Sequence, residues 1–279
     1  MISHTHSKTL RRVLLVLTCI AMTTGCASVD KPGKPAAVPE IRPGVLAGYL
    51  APTAFPDSLS LLPPPPAAGS AALALDEEVH RTSLAVRGTP RWQVATEDAD
   101  LTFPRAAGTF SCALNAPITE QETPRLYTLI RRIRTDASAA TNKAKDAYKR
   151  VRPFAAHQEP TCSPEDEKSL RQNGSYPSGH TTIGWTWALV LSEIAPAQVD
   201  AILARGRAFG QSRLICNVHW QSDVTEGYIT GAATVARLHA DPVFRADVEA
   251  AKDELAAVHA KGLKPTRDCK AEAEALAHY

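Results

Sequence analysis

The chain has 279 residues, 22% of them charged and 44% hydrophobic, with a formal net charge of +2. That balance excludes a multi-span membrane protein, a polybasic nucleic-acid binder and a mainly disordered chain. It leaves a globular protein of one or two domains with enough apolar material for a sizeable core.

Residues 1–26 read as an export signal. Lys8, Arg11 and Arg12 precede the apolar run from Val13 to Met22, and removing the first 25 residues takes the net charge from +2 to −1. Such a run reaches only ~15 Å as a helix, short of a hydrocarbon core of ~30 Å. Small residues follow (Thr24, Gly25, Cys26, Ala27), as at a bacterial secretory cleavage site. Gly25-Cys26-Ala27 resembles a lipoprotein processing site, which would put a lipid anchor on Cys26. Thr23 stands where that signal usually has Leu, so ordinary cleavage stays open. Either route leads to a periplasmic location. Four further cysteines, Cys112, Cys162, Cys216 and Cys269, then suit two disulfides with three ways to pair. No two have the C-x2-4-C spacing of a zinc site, so no metal is expected.

Residues 27–69 form a Pro-rich lead-in, with ten of the 21 prolines between Pro32 and the run Pro63–Pro66. Proline fixes φ and lacks a donor, so the stretch should be extended and not packed as helices. Its later apolar residues (Leu46, Tyr49, Leu50, Phe55, Leu59, Leu61, Leu62) suit contact with the domain surface. From Ser70 helix signals dominate, and residues 70–262 are expected to form an all-α bundle. Thr119–Glu122 has a capping-box pattern, followed by helical spacing from Leu126 to Ala147 and a stop near Arg150 before Pro153. Further helices are expected over 181–194, 197–209 and 220–239, the last with Val224, Tyr228, Ile229, Ala232 and Val235 inward. Asp241-Pro242 opens another near Val243. Residues 263–279 are a C-terminal tail.

Three segments carry chemistry. In Lys145–Pro153, Lys145 and Arg152 are seven apart, nearly one helical face, and can converge on one ligand. A solvated basic helix end is the alternative. Pro177-Ser178-Gly179-His180 stands at a helix entrance, where bare amides suit an anion; Ser178 could equally be only an N-cap and His180 a surface residue. In Ser212–Asp223, His219 and Asp223 are four apart, so the carboxylate can hold one ring nitrogen and leave the other as a nucleophile or base. A structural His–Asp pair is the plain alternative, and a metal held by His180, His219 and Asp223 is the rival. Lys145, Arg152 and Arg213 count against that rival, since three fixed cations repel a divalent metal and suit a phosphate dianion.

Together the segments read K-x6-R-P, P-S-G-H and S-R-x5-H-x3-D, with gaps of 23 residues from Pro153 to Pro177 and 31 from His180 to Ser212. This resembles the signature of the type 2 phosphatidic-acid phosphatase superfamily. The words Asn173–Tyr176, Ile183-Gly184-Trp185 and Trp220–Val224 look more specifically like the bacterial class A non-specific acid phosphatases. The likeness runs from about Tyr49 to Leu255 and leaves out the start of the lead-in and the Cys-bearing tail.

The resemblance implies metal-independent hydrolysis of phosphate monoesters through a phosphohistidine, at helix ends of the bundle, with a broad substrate range and no cofactor. His219 would be the nucleophile, Asp223 its orienting carboxylate and His180 the general acid and then base. Lys145, Arg152, Ser178, Gly179 and Arg213 would hold the phosphate. A homo-oligomer is compatible with the family, and nucleic acid is not a partner. The alternatives kept are a vanadate-dependent haloperoxidase-like enzyme and a non-catalytic phosphate-binding lipoprotein. From the placement of cysteines among these motifs, the expected pairs are Cys162–Cys216 and Cys112–Cys269, with Cys216 as a buried free thiol the alternative.

Overall fold

Why does a chain with so much proline become helical? Beyond the lead-in, four of the prolines stand where α-helices start. The computed structural model describes residues 37–277, with Met1; the leader, Cys26 and the start of the lead-in lie outside the described residues. The lead-in opens with an antiparallel hairpin, β1 (Glu40–Arg42) and β2 (Val45–Leu46), turning at Gly44 with φ +76°. It continues to one turn of helix, α1 (Ser58–Leu61), whose amides Leu59 N and Ser60 N donate to the Asp57 side chain. The lead-in is thus not wholly extended. An Asp N-cap is enough to nucleate a turn among prolines. Leu46 and Leu62 are buried, whereas Leu59 and Leu61 face out.

Then follow α2 (Ala71–Ser83), α3 (Pro90–Glu97), α4 (Ser111–Leu114), α5 (Pro124–Ala140), α6 (Asn142–Tyr148), α7 (Pro153–His157) and α8 (Glu167–Leu170). The rest are α9 (Gly179–Ile194), α10 (Val199–Ile215), α11 (Gln221–Leu238), α12 (Pro242–Ala260) and α13 (Cys269–Leu276). Pro90, Pro124, Pro153 and Pro242 each take a first-turn position, where no amide donor is missed. The fold is all-α. No helix among the described residues is long and apolar enough to cross a membrane.

The central helix is α9, packed between α5, α10 and α11. It owes that place to small residues on its neighbours. A Cβ at Gly227 of α11 would lie 2.8 Å from Thr181 Cβ and 2.9 Å from the Ser178 carbonyl. This closeness corrects the expected inward face of α11: Ile229 and Ala232 are exposed, while Gly227, Thr230, Gly231 and Thr234 are buried. Buried threonines cost little here because Thr230 and Thr234 donate to the carbonyls of Glu226 and Thr230, at 2.7 and 2.8 Å.

Three other expectations need correction. The long helix is two, α5 and α6, broken at Thr141, whose hydroxyl donates to the Ser138 carbonyl at 2.9 Å. It starts at Pro124 instead of the Thr119 box, because Thr119 closes a turn on Glu122 N at 3.0 Å. α10 does not end at Phe209 but runs on to Ile215, carrying Ser212 and Arg213 in its last turns. Gly210 is no stop, because it gives Tyr228 room. Two disulfides, Cys112–Cys269 and Cys162–Cys216, have Cα separations of 5.4 and 4.7 Å.

Candidate active site

The three motif segments meet at one end of the bundle, around a cavity of about 660 Å³. Lys145, Arg152, Gly179, His180, Arg213 and His219 line it. Lys145 and Arg152 do converge, but not along one helical face: α6 ends at Tyr148, Lys149 is left-handed, and Arg152 caps the start of α7. His219 likewise precedes α11, while Asp223 sits in its first turn. The loop carrying His219 is tied to the first motif by Phe154 N donating to the Asn217 carbonyl at 3.1 Å, and by the Cys162–Cys216 bond.

The Asp223 Oδ2 atom accepts Trp220 N at 2.9 Å and His219 Nδ1 at 3.3 Å. His219 Nε2 accepts from Arg152 Nη1 at 3.0 Å. These partners assign the proton to Nδ1 and a lone pair to Nε2. Burial, with Arg152, Lys145 and Arg213 close by, holds the His219 pKa well below the usual histidine range. The ring therefore stays neutral.

The cations are buried too. Lys145 Nζ donates to the Gly174 carbonyl at 2.6 Å, and burial beside Arg152 pushes its pKa well down. Arg152 also donates to the Val218 carbonyl at 2.9 Å, and burial lowers it to about 10. Arg213, lowered by burial to about 10, has Nε and Nη1 buried with no hydrogen-bond partner among the described residues. A buried guanidinium with open donors has the chemistry to hold an anion.

His180 Nε2 donates to the Ala99 carbonyl at 2.9 Å, and its ring stacks near Phe209 with centroids 6.4 Å apart. Burial and the charge of Arg213 hold its pKa well below the ordinary value. Ser178 is fully buried as the N-cap of α9; its Oγ accepts Thr181 N at 3.3 Å and the Thr181 hydroxyl at 2.9 Å. It is not among the residues lining the cavity.

Residues 128–246 match the PAP2 superfamily. A non-specific acid phosphatase of Providencia stuartii is 47% identical over 201 residues, covering 72% of this chain and 81% of that protein. One from Salmonella typhimurium is 44% identical, covering 70% and 78%. An acid phosphatase of Zymomonas mobilis is 41% identical, covering 71% and 75%. The chain belongs to the PAP2 superfamily. In this PAP2 chain, motif reading missed several buried groups behind the cavity. Arg150 and Asp76 form an ion pair at 2.7 Å beside Asp223, and Asp98 receives Arg205 and the Ser212 hydroxyl, the latter at 2.6 Å. For Arg150 a signal existed: Arg150 and Arg152 are two apart in an extended segment before Pro153, so their side chains leave on one side. Asp76 and Asp98 carried none, lying in helical stretches far from the motifs.

Proposed function

We propose that this acid phosphatase hydrolyses phosphate monoesters through a phosphohistidine on His219, without a metal. The observation that carries the reading is the pair of buried nitrogens on Arg213 with no hydrogen-bond partner among the described residues, on a side chain that lines the same cavity as His219. Arg213, Arg152, Lys145 and the Gly179 amide take the non-bridging oxygens and offset charge in the transition state. Ser178 supports this set by fixing the start of α9.

In the first step His219 Nε2 forms a bond to phosphorus as the bond to the leaving oxygen breaks. His180 delivers a proton to that oxygen; with Nε2–H on Ala99, the proton is carried on Nδ1. In the second step His180 takes a proton from water, whose oxygen attacks phosphorus and releases His219. The depressed pKa of His180 means its acid form exists only at low pH, so turnover should fall as pH rises. Metal independence is supported by Asp223: Arg150 and the Trp220 and His219 donors occupy its two oxygens, turning it away from a metal held with His180. Export to the periplasm is supported by the two disulfides. The cavity has room well beyond phosphate and a lining of mixed charge, including Arg105, Arg134, Glu165 and Asp166, which suits a broad range of leaving groups.

The test uses purified protein and p-nitrophenyl phosphate. His219→Ala should lose several orders of magnitude in kcat, and Asp223→Asn should be milder. Activity should survive EDTA and be blocked by vanadate. Retention of more than roughly a tenth of activity in His219→Ala would refute the nucleophile. Loss on chelation, restored by zinc, would replace it with the metal site; no phosphate release at all would leave only a phosphate binder.

A further inference from the structure

Behind the His219–Asp223 pair lies a second layer of charge that no motif residue explains. Arg150 Nη1 donates to Asp223 Oδ1 and to Ser222 Oγ, both at 2.7 Å, and its Nη2 donates to Asp76 Oδ2 at 2.7 Å. Asp76, on α2 and 1% exposed, also accepts Ser222 N at 2.8 Å and the Ser222 hydroxyl at 2.7 Å. The guanidinium lies 5.4 Å over the ring of Trp220, the residue between His219 and α11. Arg150 is not among the residues lining the 660 Å³ cavity; it borders an adjoining hollow of about 300 Å³ with Lys145 and Arg152, and its Nη1 and Nη2 are committed to Asp223, Ser222 and Asp76.

We infer that Arg150, anchored by Asp76, is a positioning residue: its fork fixes the Asp223 carboxylate so that His219 keeps Nδ1–H and offers Nε2 as a lone pair. The inference rests on the reading of His219 as nucleophile. Its chemical reason is the acid pH at which the enzyme works. An ionised carboxylate only accepts, so its histidine partner must carry the proton on Nδ1. A protonated Asp223 could donate instead, moving the ring proton to Nε2 and removing the nucleophile. Burial pushes Asp223 toward that neutral form, and Arg150 is the largest opposing influence, ahead of the Trp220 amide and Lys145. The other groups facing Asp223 are His219 itself, Arg152 beyond it and the Tyr176 phenol, while Asp76 lies behind Arg150.

The test compares Arg150→Gln and Arg150→Lys with the wild type, by pH profiles of kcat and KM and by 15N NMR of the His219 ring. In Arg150→Gln, kcat at pH ~5 should fall about tenfold and the acid limb should move up by about one pH unit, with KM within about threefold. The His219 signals should move from the Nδ1–H toward the Nε2–H form. Arg150→Lys keeps the charge without the fork, so it should lose about threefold in kcat at acid pH while retaining the wild-type limb. Added to Asp223→Asn, where no carboxylate remains to titrate, Arg150→Gln should displace the acid limb no further. A kcat scaled equally at every pH, with His219 still Nδ1–H, would overturn the inference and leave Arg150 a structural residue. If the glutamine variant does not fold, the lysine variant decides alone, and unchanged acid-side kcat refutes. Wild-type His219 found with its proton on Nε2 would instead sink the nucleophile reading itself.

Discussion

Gly184→Ala is a small change that should be felt in both stability and catalysis. Gly184 faces Phe209 across the α9–α10 contact, and a Cβ there would stand 2.3 Å from Phe209 Cδ1 and 2.9 Å from Cγ. That is about 1 Å short of ordinary contact. Phe209 is 1% exposed and ringed by Trp187 and His180, so it has no empty space to enter. Overpacking of this severity belongs near the top of the usual range, about 3 kcal/mol. Replacing a mid-helix glycine by alanine returns about 1 kcal/mol of helix propensity. The net expectation is a loss of about 2 kcal/mol, or roughly 4–8 °C in Tm for a domain of this size. Because Phe209 stacks near His180, kcat should fall as well, since displacing the ring tilts the proposed general acid. Urea unfolding and initial rates on the same samples measure both. Phe209→Leu in the same chain removes the ring atoms and should recover part of the loss, a coupling of at least about 0.5 kcal/mol. An alanine variant as stable as the wild type, with additive behaviour in the double mutant, would refute the close helix contact.

The carboxyl of Asp136 accepts the amides of Tyr49 and Leu50, and burial raises it from 3.8 to about 6. A folded-state pKa above the unfolded value means the native state holds the extra proton. Stability should therefore fall by on the order of 2–3 kcal/mol as pH rises from ~4 to ~6; in Asp136→Asn that slope should flatten, and an unchanged slope would show another group is responsible. Reducing Cys162–Cys216, which closes a loop with a sequence separation of 54, should cost roughly 4 kcal/mol in the chain-entropy view and lower activity with stability. Thermal melts with and without reductant, on Cys112→Ala/Cys269→Ala protein so that only this bridge is read, would show it; an unchanged Tm refutes it. Asp98→Ala strips the buried partner from Arg205 and should cost about 3–5 kcal/mol by denaturant unfolding; a cost below ~1 kcal/mol would mean Glu272 alone satisfies that arginine.

The all-α class was legible from the helical spacing after Leu126 and the Asp241-Pro242 start of α12, whereas the starts at Pro90, Pro124 and Pro153 were not placed by spacing alone. Convergence on the cavity was legible from residue types at fixed spacing, although the geometry behind it was not. Lys145 meets Arg152 through a left-handed Lys149 and an extended link, which no helical period describes. The inward face of α11 was misread for a reason of distance. Periodicity assumes that large apolar residues mark the buried side, but where helices approach as closely as α9 and α11 do, glycine and threonine take that side and Ile229 is left outside. Asp76 and Asp98 were invisible for another reason. A buried acid is recognisable only by the cation it meets, and Arg150 and Arg205 reach them from distant parts of the chain.

Charge at the site differs from structural charge in how far the protein itself answers it. Arg205 and Arg213 lie on the same helix, eight residues apart, and both are almost wholly buried. Composition and spacing do not distinguish them. Arg205 is matched by Asp98 and Glu272 within the protein, and its charge is accounted for by the fold. Among the described residues Arg213 keeps two buried nitrogens, Nε and Nη1, without a hydrogen-bond partner, whereas Arg205 keeps only Nε so and has Glu272 3.3 Å from it. Asp98 and Asp166 only partly offset the burial of Arg213, and an anion that completed it would recover free energy. Arg213 shares one cavity with Lys145, Arg152 and His219, the set proposed to take the phosphate. Phosphate should therefore stabilise this protein against unfolding, and Arg213→Leu should stabilise the empty form while abolishing that response.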